Sequence, residues 1–145
     1  MIQPSQARPI AICLFSRRGK ILVAQGKDRV KQEKFFRPIG GGIEFGEYAI
    51  ETIARETREE LDVAVRDVRY LFTLENIFTY QGALGHEIVL VCDGAFADDT
   101  LYARDVLYGR DALESFEAYW KTLDELRRDT HPLYPAGLLE RLGDL

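Results

Sequence analysis

The chain has 145 residues, 46% hydrophobic and 30% charged, which is typical of one folded globular domain and unlike a disordered chain. Its 24 acidic residues outnumber 19 basic ones, so the net charge is −5 and a general nucleic-acid binder is disfavoured. No apolar run approaches the ~20 residues of a membrane span, and no cationic segment marks a secretory signal. A single cytoplasmic domain over residues 1–145 is therefore expected, as a monomer or a homodimer.

The charge is segregated along the chain. Residues 1–40 contain nine Lys or Arg and two acidic residues, whereas Gly41–Val63 contains seven acidic residues and two Arg. A basic stretch that leads into an acidic one would suit a metal–polyphosphate complex. It equally suits a solvated helix beside a basic loop, and charge alone favours that simpler interpretation.

The first half of the chain predicts short strands followed by one helix. Apolar runs at Ile10–Phe15 and Ile21–Ala24, joined by a polar turn, indicate a β-hairpin. Lys27–Lys34 is predicted to be a loop, and Phe35–Ile39 a short strand that Gly40–Gly42 ends.

A helix is predicted from Tyr48 to Leu61, because apolar residues recur there at three- and four-residue spacing. The residues expected on its buried face are Tyr48, Ile50, Ile53, Ala54, Thr57 and Leu61.

The second half predicts mainly strands. Val63–Thr73, Ile77–Tyr80 and Glu87–Phe96 are expected to be strands, with a hairpin loop over residues 81–85. Asp111–Arg128 fits a helix or a strand, and Pro135 is expected in the first turn of a C-terminal helix that buries leucines. The elements interleave without a regular βαβ period, so the predicted class is α+β or a three-layer sandwich.

Three glutamates carry the clearest chemical signal. Glu56, Glu59 and Glu60 stand at offsets that share one helix face, where their mutual repulsion would be relieved by a divalent cation. Oxygen ligands of this kind suit Mg²⁺ or Mn²⁺, and Cys13 and Cys92 are too few for a Cys-rich zinc site. The triplet alone is more often an acidic surface helix. The three glycines just before it strengthen the case for a metal site, because glycine lets the backbone approach a ligand closely.

The segment Gly41–Val63 resembles the Nudix box, Gly-x5-Glu-x7-Arg-Glu-U-x-Glu-Glu-x-Gly-U, where U is a bulky aliphatic residue. Gly41, Glu47 and the Arg-Glu and Glu-Glu pairs match. Thr57 replaces an aliphatic residue and can still pack a methyl group. Asp62 replaces the last glycine and tolerates a left-handed helix end. The resemblance extends to Phe36–Ile39, Glu75-Asn76 and Tyr119–Leu126.

This resemblance implies a fold and a set of site residues. The fold would be a Nudix-type α/β/α sandwich with a mixed sheet between helices, in which Phe116–Lys121 is a strand and Leu123–Arg128 a short helix. The implied metal ligands for Mg²⁺ or Mn²⁺ are Glu56, Glu59, Glu60 and the backbone carbonyl of Gly40, with Glu47 as a further acid of the metal site. Arg55 would orient these acids through salt bridges.

Residues outside the box are less clearly marked. Glu87 is the candidate general base, because the family takes this group from a box glutamate or from a loop elsewhere. Arg37 and Lys34 are candidates for phosphate contacts. Phe78 and Tyr80 are candidates for stacking a nucleobase, although aromatic residues in strands usually belong to the core.

The expected function is a Mg²⁺-dependent pyrophosphohydrolase that acts on a nucleoside diphosphate linked to another group, in the first place a nucleoside triphosphate. The alternatives are a dinucleoside polyphosphate hydrolase, which the position of Tyr80 resembles, and an ADP-ribose or nucleotide-sugar hydrolase. A non-catalytic nucleotide sensor and an interaction module without a ligand are hypotheses of other classes. The presence of all three box glutamates favours the enzyme. Besides a second copy of the chain in a homodimer, the predicted partner is a small-molecule nucleotide; neither nucleic acid nor a membrane is expected.

Overall fold

A computed structural model describes residues 6–112 and 114–143, so both ends of the predicted domain and one residue of the predicted Asp111–Arg128 segment lie outside it. The strands are β1 (Arg8–Arg17), β2 (Lys20–Asp28), β3 (Glu33–Arg37), β4 (Ile39–Gly42), β5 (Val65–Tyr80), β6 (Ala83–Phe96), β7 (Val106–Asp111) and β8 (Glu114–Thr122). The α-helices are α1 (Ala49–Leu61), α2 (Leu123–Arg128) and α3 (Leu138–Gly143), and Asp99–Ala103 forms a 3-10 helix. None of the helices in this part of the chain is long and apolar enough to cross a membrane.

The strands form one mixed sheet in the order β5-β6-β1-β2-β8-β7, with β3 added beside β2 and β4 beside β1. β1 and β6 are parallel over Arg8–Phe15, and the other described pairs are antiparallel. β1 pairs with β2 only at its end, near their shared turn. The earlier part of β1, from Ile10 to Cys13, pairs with β4 instead. The sheet therefore divides at this point, where the glycines of β4 lie.

Alternating side chains of β1 build two hydrophobic layers. Ala11, Cys13 and Phe15 pack on the face that α1 covers through Ile53. Ile12 and Leu14 pack on the other face, which leucines of α2 and α3 cover. Because successive residues of a strand point to opposite faces, one apolar run supplies both layers. The predicted α+β sandwich with a mixed sheet between helices is confirmed.

Several strands are longer than predicted, and the loops between them are shorter. The hairpin loop predicted over residues 81–85 is a two-residue turn, because β6 already begins at Ala83. The expected loop Lys27–Lys34 is only a turn between β2 and β3, and β5 is one strand with two bulges rather than two strands. Asp28 explains why the turns are tight, since its carboxylate accepts hydrogen bonds from the backbone of Val30 (3.0 Å) and of Gln81 in the β5–β6 turn (3.0 Å). This side chain ties two hairpin ends together.

The triple glycine is a strand rather than a loop. Gly40, Gly41 and Gly42 pair with Ile12, Ala11 and Ile10 of β1. Glycine is required at the first position because a Cβ on Gly40 would lie 2.0 Å from the carbonyl oxygen of Ala11. The glycines thus do permit a close backbone approach, and the backbone that they approach is β1.

Helix α1 lies where the periodicity predicts it, but its buried face differs. Tyr48, Ile50 and Ala54 are exposed, whereas Thr52 and Glu60 are buried together with Ile53 and Thr57. The apolar pattern was misleading because the buried stripe of this helix is partly polar. The predictions of Thr57 and Ile53 in the core are confirmed.

The C-terminal predictions are mostly confirmed. The strand and short helix over Phe116–Arg128 are present, and Thr122 accepts a hydrogen bond from the backbone N–H of Glu125 at the start of α2 (3.0 Å). Pro135, however, precedes α3, which begins at Leu138. Leu138 and Leu142 are buried as expected.

Replacing Gly40 by Ala is expected to reduce the free energy of unfolding by about 3 kcal/mol or more, because the new Cβ would overlap the β1 backbone. Gly82→Ala is the matched control, since this turn glycine also has a positive φ but no atom within 4 Å of the position that a Cβ would take. Its cost should stay near the ~1 kcal/mol of backbone strain alone. Urea unfolding of both variants measures the difference, and equal stability of the two would contradict the packing argument.

Candidate active site

The two ends of α1 fix the direction in which its glutamates point. At the start, Glu51 accepts a hydrogen bond from the backbone N–H of Tyr48 (2.8 Å). At the end, Asp62 is left-handed (φ 58°) and its N–H donates to the carbonyl of Arg58 (3.0 Å). The expectation that Asp62 tolerates this conformation in place of glycine is confirmed, and the helix ends at Leu61, directly after Glu60.

Arg55 is the centre of the site. Its Nε and Nη2 donate to the two carboxylate oxygens of Glu47 at 2.8 and 2.9 Å. Nη2 also donates to the carbonyl oxygen of Gly42 (2.9 Å), and Nη1 donates to Glu56 Oε1 (2.9 Å). Nη1 lies 3.4 Å from Glu59 Oε2 as well. One guanidinium therefore joins the loop before the helix, the helix itself and the edge of β4.

Glu47 serves this arrangement by holding Arg55. Besides the two bonds from Arg55, it accepts hydrogen bonds from the Thr52 hydroxyl (2.6 Å) and the backbone N–H of Glu44 (3.2 Å). The hydrogen bonds of Arg55, and then that of Thr52, lower the pKa of Glu47 to about 2. Its oxygens are thus occupied by donors within the protein.

Glu56 lies against the glycine strand. A Cβ on Gly41 would lie 2.5 Å from the carboxyl carbon of Glu56, so any other residue here would displace this carboxylate from its place beside the backbone. Burial raises the pKa of Glu56, and the adjoining Arg55 opposes that rise. Glu59, by contrast, is 58% exposed at its side chain.

Glu60 is the most buried acid of the helix. The residue is 7% exposed, and its Oε1 has no hydrogen-bond partner among the described residues. Its Oε2 lies 3.8 Å from Arg37 Nη2. Burial raises the pKa of Glu60 to about 8, while the charge of Arg37 lowers it and that of Glu56 raises it further. A buried carboxylate with an unused oxygen is poorly satisfied by the protein alone.

These features fit a hard divalent cation. The donors are carboxylates, one of them with an orphaned buried oxygen, and they lie along a glycine edge that leaves space beside the backbone. Within residues 6–112 and 114–143, no three acidic, histidine or cysteine side chains already converge as a metal cluster. In this arrangement Arg55 pairs with Glu56 and Glu59, and Glu60 lies beside Arg37.

Glu87 lies in β6, next to Arg8 of β1 in the strand register. Its nearest ion-pair contact is Arg8 Nη1, 3.9 Å from Glu87 Oε2, and its side chain is 17% exposed. Burial raises the pKa of Glu87, and the charges of Arg8 and Arg37 lower it. The structure thus places this acid on the side of the site where Arg37 lies, without direct contact to the box acids.

Two of the four predicted substrate residues have other surroundings. Lys34 is exposed, and it lies three positions from Arg37 in β3, so the two side chains emerge from opposite faces of the strand. The ring of Phe78 covers Gly85, where a Cβ would lie 2.4 Å from its Cζ. Lys34 is thereby separated from the glutamates, and Phe78 is used in packing.

Tyr80 belongs to an aromatic group that the sequence did not reveal. Its ring is edge-on to Phe35, with centroids 5.9 Å apart, and Phe35 lies 5.3 Å from Tyr134. Tyr80 is 40% exposed. The three rings come from β5, β3 and the segment before α3, so their proximity depends on the fold and has no local sequence signal.

Asp111 was missed for the same reason. It ends β7, and its Oδ2 lies 3.2 Å from Arg37 Nη2.

A cavity of about 710 Å³ opens beside Glu59 and Glu60, and Tyr108, Arg110 and Phe116 also line it. This volume is in the range of small-molecule sites.

Comparison with known proteins gives a consistent result. The model of the NUDIX domain matches residues 5–142. A MutT NUDIX hydrolase from Burkholderia pseudomallei is 23% identical, with 95% of this chain and 99% of that chain covered and a TM-score of 0.69. A NUDIX hydrolase from Nitrosomonas europaea is 14% identical, with 96% of this chain and 88% of that chain covered and a TM-score of 0.70. The E. coli ORF135 protein is 23% identical, with 97% of this chain and 91% of that chain covered and a TM-score of 0.61. The comparison with curated proteins gave no match.

Replacing Glu60 by Gln is expected to stabilise the fold in the presence of a chelator at pH 8. The pKa of Glu60 is raised from 4.5 to about 8, so its ionisation costs folding energy as the pH rises from 4.5 to 8. The Gln variant lacks this cost and should melt a few degrees higher at pH 8, and equally with the wild type at pH 4. Thermal unfolding at both pH values tests this; a gain at pH 4 as large as that at pH 8 would contradict it.

Proposed function

The chain belongs to the NUDIX hydrolase family, whose members cleave a pyrophosphate bond in nucleoside diphosphate derivatives. We propose that this chain is a Mg²⁺-dependent pyrophosphohydrolase that acts on nucleoside triphosphates or related nucleotides. The observation that carries this proposal is the arrangement around Arg55, which joins Glu47, Glu56 and Glu59 to the glycine edge of β4. Such a polar arrangement contributes little to a core and is suited to holding charged ligands.

Glu56, Glu59, Glu60 and the backbone carbonyl of Gly40 would hold the cation, with Mn²⁺ as a substitute for Mg²⁺. When bound, a divalent cation supplies positive charge that neutralises the phosphates and favours ionisation of water. The chain's own contribution is to keep the acids on one helix face and to orient them, chiefly through Arg55. Glu47 acts from behind by fixing Arg55.

We propose Glu87 as the general base. Its pKa is raised by burial, which brings it nearer to the pH at which a base accepts a proton efficiently. Its side chain is partly accessible and lies next to Arg8, a cation that would also keep a phosphate near it.

Arg37 and Tyr80 would hold the substrate. Arg37 stands at the buried end of the box acids, where a phosphate oxygen would arrive with the cation. Tyr80 and Phe35 offer an exposed aromatic edge for a nucleobase. With Tyr134 next to Phe35, this aromatic group also favours a second candidate activity, hydrolysis of dinucleoside polyphosphates, whose two bases both need apolar contacts.

A substrate panel with Mg²⁺ and with Mn²⁺ tests the proposal. Nucleoside triphosphates are expected to yield a monophosphate and pyrophosphate, whereas release of ATP and AMP from a dinucleotide would favour the second candidate. ADP-ribose and nucleotide sugars complete the panel. Hydrolysis of none of these compounds would contradict the proposal and favour a nucleotide sensor.

Two variants separate the roles of the acids. Glu60→Gln is expected to lower kcat by about 100-fold or more and to weaken Mn²⁺ binding, because it removes a metal ligand. Glu87→Gln is expected to lower kcat by about 100-fold while Mn²⁺ binding stays unchanged, as for the loss of a base. A kcat for Glu87→Gln within a few-fold of the wild type would remove Glu87 from the mechanism.

A further inference from the structure

Arg37 stands between two carboxylates from different parts of the fold. Its Nη2 lies 3.2 Å from Asp111 Oδ2, which is a hydrogen bond, and 3.8 Å from Glu60 Oε2, which is beyond one. The guanidinium is therefore bound to the exposed acid and only adjoins the buried one.

Further contacts hold the guanidinium in this position. Its central carbon lies 5.7 Å from the ring centroid of Phe116 in β8, and its Nη1 donates to the carbonyl of Pro38 (3.4 Å). The Arg37 side chain is 27% exposed, so it is held within the site and still accessible.

It is unexpected that Arg37 bonds Asp111 rather than Glu60, because the buried Glu60 carboxylate has the greater need of a partner. Glu60 is buried and its Oε1 is unpaired among the described residues, whereas the side chain of Asp111 is 56% exposed. A two-pronged pair of Arg with a buried carboxylate is a strong interaction. Without a competitor, Arg37 would close on Glu60 and occupy the oxygens that a cation needs.

We propose, building on the function proposed above, that Asp111 is a positioning residue that holds Arg37 back from Glu60. The Glu60 carboxylate then stays open to a divalent cation, and the guanidinium stays beside it for a phosphate. The negative charge of Asp111 also raises the pKa of Glu56 and of Glu60, although burial raises both more.

The competing interpretation is that Arg37 and Asp111 form an ordinary surface ion pair without a role in the site. Exposed ion pairs are common and contribute little to stability. The chain offers a matched control in Asp99, an exposed acid 3.4 Å from Arg66 Nη2, an arginine that forms ion pairs with Asp67 and Asp99 and with none of the box acids. Asp111→Ala and Asp99→Ala each remove one exposed partner of an arginine.

The test is the binding of Mn²⁺ alone, measured by electron paramagnetic resonance on the full chain without nucleotide. Asp111→Ala is expected to raise the Kd for Mn²⁺ about fivefold or more, and Asp99→Ala should leave it unchanged. In an Arg37→Gln background the same Asp111→Ala substitution should have a much smaller effect, because no guanidinium is left to close on Glu60 and only the direct charge of Asp111 is lost. Thermal unfolding of each variant confirms that it is folded.

Two results would overturn the inference. An equal loss of Mn²⁺ affinity with and without Arg37 would mean that Asp111 itself binds the cation, and no loss in Asp111→Ala would mean a surface ion pair. Failure of the wild type both to bind Mn²⁺ and to hydrolyse any nucleotide would instead overturn the proposed function, and this inference with it.

Discussion

The site depends on one partly buried constraint, the hydrogen bonding of the Arg55 guanidinium. Arg55 fixes Glu47, Glu56 and the carbonyl of Gly42 at once, so the loop, the helix and the strand edge keep one relative position. Charged hydrogen bonds of this kind are stronger than neutral ones, and the planar guanidinium sets their directions. These bonds offset the cost of partly burying the guanidinium and the carboxylates of Glu47 and Glu56.

The glycine strand supplies the matching surface. Gly40 brings β4 against β1, and Gly41 leaves room for the Glu56 carboxylate beside the backbone. A side chain at Gly40 would push β4 away from β1, and a side chain at Gly41 would displace the Glu56 carboxylate. Backbone geometry and acid chemistry therefore depend on each other, and each explains part of the spacing of the sequence motif. The cost of burial remains at Glu60, where one oxygen has no partner among the described residues.

Local patterns predicted what is local. The helix over Ala49–Leu61, its left-handed end at Asp62 and the acids on its face follow from periodicity and motif spacing. The strand character of Gly40–Gly42 did not follow, because it is set by pairing with β1, which is distant in sequence. Asp111 and the aromatic group around Tyr80 were beyond prediction for the same reason. Lys34 was a candidate because it is close to the glycines in sequence, but it lies three positions from Arg37 in β3 and therefore on the opposite face of the strand.

The most direct test of the central role of Arg55 is the Kd for Mn²⁺ of an Arg55→Lys variant. Lysine keeps the positive charge but cannot bond Glu47, Glu56 and the Gly42 carbonyl together. We expect the variant to stay folded and to bind Mn²⁺ about tenfold more weakly than the wild type, because the acids lose their orientation. A folded Arg55→Lys variant with wild-type Mn²⁺ affinity would show that charge alone suffices and would contradict the account.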